Sequence, residues 1–244
     1  MLTFSRIYRY FFKRAPSPRG FTLVELLVVS LIIVFITAFV LFRQQGFNSA
    51  TLLRSLSYGV ALSVRQAQVY GVSVRESAVG SNVFAAGYGV HFGNTGLVDS
   101  SHYVLFADAN GNGQYAAGEE LPRFTIGNGR GTDYLIRNMC AHSITTGDQC
   151  SCTNAALCTV TSPTITSLTI YFRRPNPDAC FATSRPAGQG GDACATATTP
   201  PVYDYAYVQI KPFGAADWRT IKVTSTGQIS VCRPNLSAAE IEDC

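Results

Sequence analysis

Apolar positions fall into three patterns along the chain. From Phe21 to Phe42 they form one run of 22 residues, FTLVELLVVSLIIVFITAFVLF, whose single charge is Glu25. At about 1.5 Å per residue the run makes roughly 33 Å of helix, enough to cross a hydrocarbon core of about 30 Å. From Leu52 the pattern changes. Leu52, Leu53, Leu56, Val60, Val64 and Ala67 recur at steps of three and four, with Arg54, Arg65 and Gln66 between them. That period predicts an amphipathic helix laying one stripe on a core. Gly46 lies near the seam of the two halves, and Gly71 is the expected C-terminal stop.

Beyond Gly71 the apolar residues gather in short β-branched and aromatic stretches punctuated by Gly, Asn, Pro and Ser. Candidate strands are Val72–Ser77, Tyr88–Phe92, His102–Ala107, Leu121–Ile126, Tyr134–Met139, Ser167–Arg173, Tyr203–Lys211, Trp218–Thr224 and Gln228–Cys232. Thr226-Gly227 suggests a tight turn between the last two, and Ser237–Ile241 a short helix. The stretches Thr145–Pro163 and Asn176–Pro201 read as irregular loops. The expected organisation is a leader (1–20), a membrane or assembly helix (21–42), its amphipathic continuation (43–71) and a β-rich domain (72–244). This is an α+β design: a long N-terminal helix packed on an antiparallel sheet.

Charge sharpens the N-terminal reading. Residues 1–20 carry Arg6, Arg9, Lys13, Arg14 and Arg19 and no acid, so this end should stay cytoplasmic and the chain after Phe42 should face the other side. Of nineteen bases these five belong to the leader, leaving fourteen against fifteen acids. Global charge therefore does not argue for nucleic acid. A secretory signal would place small residues after the apolar run, whereas Arg43-Gln44-Gln45-Gly46 follows. An uncleaved signal anchor is the plain reading of that arrangement.

The junction itself supports a sharper one. Gly20-Phe21-Thr22-Leu23-Val24-Glu25-Leu26-Leu27-Val28-Val29 resembles the prepilin processing motif of type IV pilin-like proteins. The resemblance implies cleavage between Gly20 and Phe21 by a membrane peptidase on the cytoplasmic side, N-methylation of Phe21, and a role for Glu25 in assembly. The chemistry suits that spacing. A new amine at a helix N-terminus among apolar helices needs a partner, and a carboxylate from the next subunit supplies it while setting the axial register. The alternative for Glu25 is a protonated or snorkelling side chain near the interface. The long helix and β domain agree with the same family. The segment Phe106-Ala-Asp-Ala-Asn-Gly-Asn-Gly113 with Gly118-Glu-Glu-Leu121, and the closing Ile221-Lys-Val-Thr-Ser-Thr-Gly227-Gln-Ile-Ser230, resemble the H-type pseudopilins of type II secretion and FimT-like minor pilins. The cysteine-rich insertions depart from that pattern.

The resemblance implies a structural subunit of a type IV pilus or a type II secretion filament. It would sit in the bacterial inner membrane as a single-pass protein, with its C-terminal domain in the periplasm or outside the cell. Its partners would be other pilin or pseudopilin subunits, the prepilin peptidase, an inner-membrane assembly platform and membrane lipids. A second reading is a minor pilin that binds DNA for uptake through Arg173, Arg174, Lys211, Arg219, Lys222 and Arg233, if these share a face. Ordinary solvent-side strand charges are the plainer account of those six. His91, His102 and His142 lack metalloprotease spacing, and no nucleophile elbow or phosphate-binding glycine loop occurs, so catalysis is not expected.

Eight cysteines lie at 140, 150, 152, 158, 180, 194, 232 and 244, all in the exported part. An even count in such a chain argues for disulfides. Cys180 with Cys194 and Cys232 with Cys244 are the expected pairs, while Cys140, Cys150, Cys152 and Cys158 allow three pairings. A zinc site using three of these with His142 is the rival, without the usual C-x2-C knuckle. No cofactor is required, and calcium is one candidate. Asp108, Asn110, Asn112, Gln114 and Glu119 match D-x-[DN]-x-[DN]-G-x5-E, with Gly113 at the sharp turn. The preceding strand pattern and the low ligand charge leave a Gly/Asn hairpin turn as the competing account.

Overall fold

The computed structural model describes residues 20–76, 80–82, 84, 87–93, 101–126, 134–143, 147–151, 165–184, 191–192, 203–213, 217–234, 238–241 and 244. The chain divides into two units, Met1–Phe47 and Asn48–Cys244. Helix α1 spans Leu23–Val72 and runs through Gly46 without a break.

In the first unit, every described side chain from Gly20 to Phe42 is exposed. Leu23–Phe42 has a mean hydropathy of 2.9 and is the one described helix long and apolar enough to cross a membrane.

The second unit holds eleven strands among its described residues. They are β1 (Gly87–Gly93), β2 (His102–Asp108), β3 (Glu120–Thr125), β4 (Tyr134–Ser143), β5 (Gly147–Cys150), β6 (Ser167–Phe172), β7 (Ala179–Ser184), β8 (Gly191–Asp192), β9 (Tyr205–Pro212), β10 (Arg219–Thr224) and β11 (Ile229–Val231), followed by α2 (Ala238–Ile241). They form two sheets, ordered β3-β2-β1-β6-β7-β8 and β11-β10-β9-β4-β5, with antiparallel pairing throughout. The α+β class holds, with two sheets where the sequence suggested one.

The predicted helical stripe does its expected work. Leu53, Val60, Val64 and Ala67 are buried, and Leu52 and Leu56 are partly so. They share one core with Val90, Phe92, Leu105, Leu168 and Ile170 of the first sheet and Ala206, Val208, Ile210, Ile221 and Val223 of the second. The alternation of these inward residues is the period-2 signature of strands with one core face. Polar pins fix the helix on the sheets. Ser63 Oγ lies 2.9 Å from the Tyr103 hydroxyl, and Gln68 Nε2 donates to the carbonyls of Pro177 (2.8 Å) and Gly227 (2.9 Å).

Several boundaries differ from expectation. The described part of the expected strand Val72–Ser77 is not a strand: α1 continues through Val72, residues 74–76 are irregular, and Ser77 lies outside the described residues. Gly71 is the penultimate residue of α1, which ends one position later at Val72, in line with the expected C-terminal stop. A Cβ there would lie 2.6 Å from the Phe172 carbonyl oxygen, so glycine lets the helix approach β6. The Thr145–Pro163 and Asn176–Pro201 stretches contain β5, and β7 with β8, respectively. Gly227 does make the predicted turn between β10 and β11, at φ 81°.

Candidate functional site

The helix entrance is built by Thr22. Its hydroxyl accepts the Glu25 amide at 3.2 Å and its carbonyl accepts the Leu26 amide at 3.2 Å, so Thr22 is the N-cap and Glu25 the third helical residue. Thr22-x-x-Glu25 has the spacing of a capping box, a signal present in the sequence and separate from the processing motif. A carboxylate at Glu25, in the first turn, also complements the helix dipole. Gly20 and Phe21 precede the helix and are exposed, Phe21 at 76%. The junction thus brings an exposed peptide bond, a capped helix start and one carboxylate to the head of a fully exposed apolar helix.

The Asp108–Glu119 loop joins β2 to β3. Asp108 is fully buried, and its carboxylate accepts the amides of Gly111 (2.8 Å), Asn112 (3.1 Å) and Gly113 (2.9 Å). Asn110 Oδ1 accepts the Asn112 amide at 3.0 Å, and Asn112 Oδ1 accepts the Gln114 amide at 2.8 Å. Such nested turns serve a calcium loop and a self-sufficient hairpin equally well. The Asn110 side-chain NH2 ties the two ends of the loop together. It donates to Glu119 Oε1 at 2.9 Å, placing a donor against an oxygen a cation would need. Glu119 Oε2 accepts the Ala116 amide at 3.1 Å. Among the described residues no group of three His, Cys, Asp or Glu side chains is placed to hold a metal ion. Asp108→Asn should remove one charge-assisted acceptor and cost about 1.5 kcal/mol, lowering Tm by roughly 3–6 °C. Millimolar calcium should leave the wild-type Tm unchanged in a thermal melt, and a calcium-dependent rise would restore the metal reading.

The same loop covers the side of the first sheet that faces away from α1. Tyr115 stacks on His91 with ring centroids 4.7 Å apart and meets Phe106 edge-on at 5.8 Å. Its hydroxyl donates to Glu120 Oε1 at 2.6 Å. Burial, then the Glu120 hydrogen bond, pushes the Tyr115 hydroxyl up to about 12, and that hydrogen bond holds the Glu120 carboxyl below its ordinary range. His91 lies opposite Thr169 in the β1–β6 register, with Nδ1 2.8 Å from Thr169 Oγ1. Burial lowers its pKa to about 4. Sequence reading left this cluster out, because its members share no spacing and meet only through the β2–β3 connection.

Cys140 and Cys150 are bonded across β4 and β5, and Cys232 is bonded to Cys244 as expected. Cys180 is also in a disulfide. Cys152, Cys158 and Cys194 lie outside the described residues. The Cys140–Cys150 bond withdraws two thiols from the zinc alternative. His142 serves elsewhere: Nδ1 is 2.6 Å from Asp148 Oδ1, and its ring stacks on Tyr205 at 4.7 Å.

The six bases considered for DNA fall on both sheets. Arg173 and Arg174 follow β6 of the first sheet, and the Arg174 guanidinium donates to the Phe84 carbonyl. Lys211, Arg219 and Lys222 lie on β9 and β10 of the second sheet, with Arg233 just after β11. Lys222 is buried, donates to the Ile241 carbonyl at 2.9 Å and lies over the Tyr205 ring. Arg219 donates to the Cys232 carbonyl at 3.2 Å. Two of the six therefore hold the C-terminal tail on the second sheet.

The described residues define an α+β protein whose N-terminal helix is long and apolar enough to cross a membrane. No family model, no curated protein and no solved structure matches the chain.

Proposed function

We propose that the chain is a structural subunit, a minor pilin or pseudopilin, of a type IV pilus or type II secretion filament. One observation carries this reading: an apolar helix exposed on every side, headed by Gly20-Phe21 and bearing a single carboxylate in its first turn. Such a surface is stable only in lipid or among like helices. Cleavage after Gly20 creates an amine at Phe21, and Glu25 of a neighbouring copy neutralises it in the apolar layer. The β domain then rides on the outside, and its disulfides suit an oxidising compartment beyond the inner membrane. The prepilin peptidase and an inner-membrane assembly platform are the partners this route requires.

Two of the six bases considered for DNA, Lys222 and Arg219, are engaged with backbone carbonyls within the globular unit, so the DNA reading draws on fewer of them. The test is recovery from sheared cell surfaces or from a membrane filament fraction. The processed chain should co-sediment with the major filament subunit when the assembly ATPase is present and stay in the membrane when it is deleted. Equal distribution in both strains contradicts the proposal.

A further inference from the structure

One row of register partners crosses the whole second sheet. It runs from Cys150 on β5 through Cys140 on β4, Tyr207 on β9 and Lys222 on β10 to Ser230 on β11. The row lies on the face turned away from the main core. Ala206 and Val208, on either side of Tyr207 along β9, point into that core, and side chains alternate along a strand. On the outer face a second cluster forms. It joins Cys140, Cys150, Tyr205 and Tyr207 to Cys232, Ile241 and Cys244 of the C-terminal tail. Among the described residues, the apolar cover over the row comes from these last three.

The tail is fastened in several ways. The Cys232–Cys244 disulfide closes it into a loop. The Lys222 ammonium, buried over the Tyr205 ring, donates to the Ile241 carbonyl at 2.9 Å, and Arg219 donates to the Cys232 carbonyl at 3.2 Å. Ile241 itself is fully buried in the cluster. The four cysteines there differ in access: Cys140, Cys150 and Cys232 are buried, and Cys244 is only partly so. Disulfide exchange requires a thiolate to reach a sulfur, so the terminal disulfide is the one open to attack, at Cys244.

We propose that the C-terminal tail is a redox-released strap whose disulfide gates reduction of the Cys140–Cys150 bond beneath it. The reductant is a dithiol, small or protein-borne. One of its thiolates attacks Cys244 Sγ, forming a mixed disulfide and expelling the Cys232 thiolate, which takes up a proton. The second thiol of the reductant, as thiolate, then attacks the mixed disulfide. Cys244 leaves and is protonated, and the reductant departs as a disulfide, so two electrons and two protons have passed to the protein. Without its covalent closure the tail is held only by Ile241 packing and the Lys222 hydrogen bond, and it lifts to uncover Tyr207, Cys140 and Cys150. The strap stays shut where disulfides persist and opens where they are reduced. This device does not depend on the assembly role proposed above.

Graded dithiothreitol acting on the full chain in detergent, with thiols trapped by N-ethylmaleimide and mapped by peptide mass, tests this. Cys232 and Cys244 should be labelled about tenfold faster than Cys140 and Cys150. Lysine acetylation gives a second readout. Lys211, partly exposed, should react throughout, whereas buried Lys222 should react only once the terminal disulfide has opened. Ile241→Ala keeps every cysteine and loosens the strap, so it should speed labelling of Cys140 and Cys150 about tenfold over the wild type. Labelling of all four cysteines together marks global unfolding and overturns the proposal, as does labelling of Cys140 and Cys150 first. Protection of Lys222 that outlasts reduction of the terminal disulfide, or an unchanged Cys140–Cys150 rate in a folded Ile241→Ala, overturns it as well. If that variant does not fold, the wild-type labelling order and the Lys222 readout decide.

Discussion

Glu25→Val should leave membrane insertion intact and abolish incorporation into filaments. The substitution makes the apolar run continuous, so insertion becomes more favourable, by up to about 2.5–3.5 kcal/mol if the carboxylate sits deep and less near the end. The Thr22 cap to the position-25 amide uses backbone and survives, so the helix start should hold. What is lost is the proposed partner of the Phe21 amine. Leaving one member of a buried ion pair alone costs about 3–5 kcal/mol, and every copy in a filament would bear that cost. Quantifying the variant in membrane and sheared-filament fractions should show wild-type amounts in the first and at least a hundredfold loss in the second. Glu25→Asp should assemble partially, since it keeps the charge but shortens its reach. Normal assembly of Glu25→Val would reduce Glu25 to its capping and dipole task.

The second large effect is acid destabilisation through His91. Its folded-state pKa of about 4 lies below the ordinary 6.5 because burial disfavours the imidazolium. Well above pH 6.5 the ring is neutral in both folded and unfolded chains and contributes no pH dependence. As pH falls from 6.5 towards 4 the unfolded state takes up a proton that the folded state refuses, so stability falls. The full loss is about 3 kcal/mol, reached near pH 4, below which the folded ring protonates too. The groups facing His91 do not offset this. Thr169 and Tyr115 are neutral there, and Glu120 is bonded to the Tyr115 hydroxyl. His91→Asn keeps a polar atom near the Nδ1 position and carries no titrating ring. Urea melts between pH 7 and pH 4 should show a steep decline for the wild type and a shallower one for the variant. Parallel declines would mean that carboxylates, not His91, set acid sensitivity.

The parts legible in the sequence were those whose signal is local and periodic. The apolar run, the three-four stripe from Leu53 to Ala67 and the alternating strands each declare themselves through spacing, and the structure places them accordingly. Gly71 marked the helix end to within one residue. Its second role was not legible: the missing side chain also allows the close contact with Phe172, a residue a hundred positions away. Strands β5 and β7 were hidden for a related reason. Gly147–Cys150 and Ala179–Ser184 are short and rich in small or polar residues, and cross-strand partners in β4 and β6 make them strands. The division into two sheets is likewise a matter of long-range pairing. At the candidate site, Gly20, Phe21, Glu25 and the Asp108 loop stood out by motif, while the Tyr115–His91 stack depended on where the loop folds back.

Mass spectrometry of the N-terminus of protein recovered from native membranes tests the central claim most directly. The account predicts a chain beginning at N-methylated Phe21 whenever the prepilin peptidase is present. Recovery only of chains that still carry residues 1–20, with the peptidase active in the same cells, would contradict it.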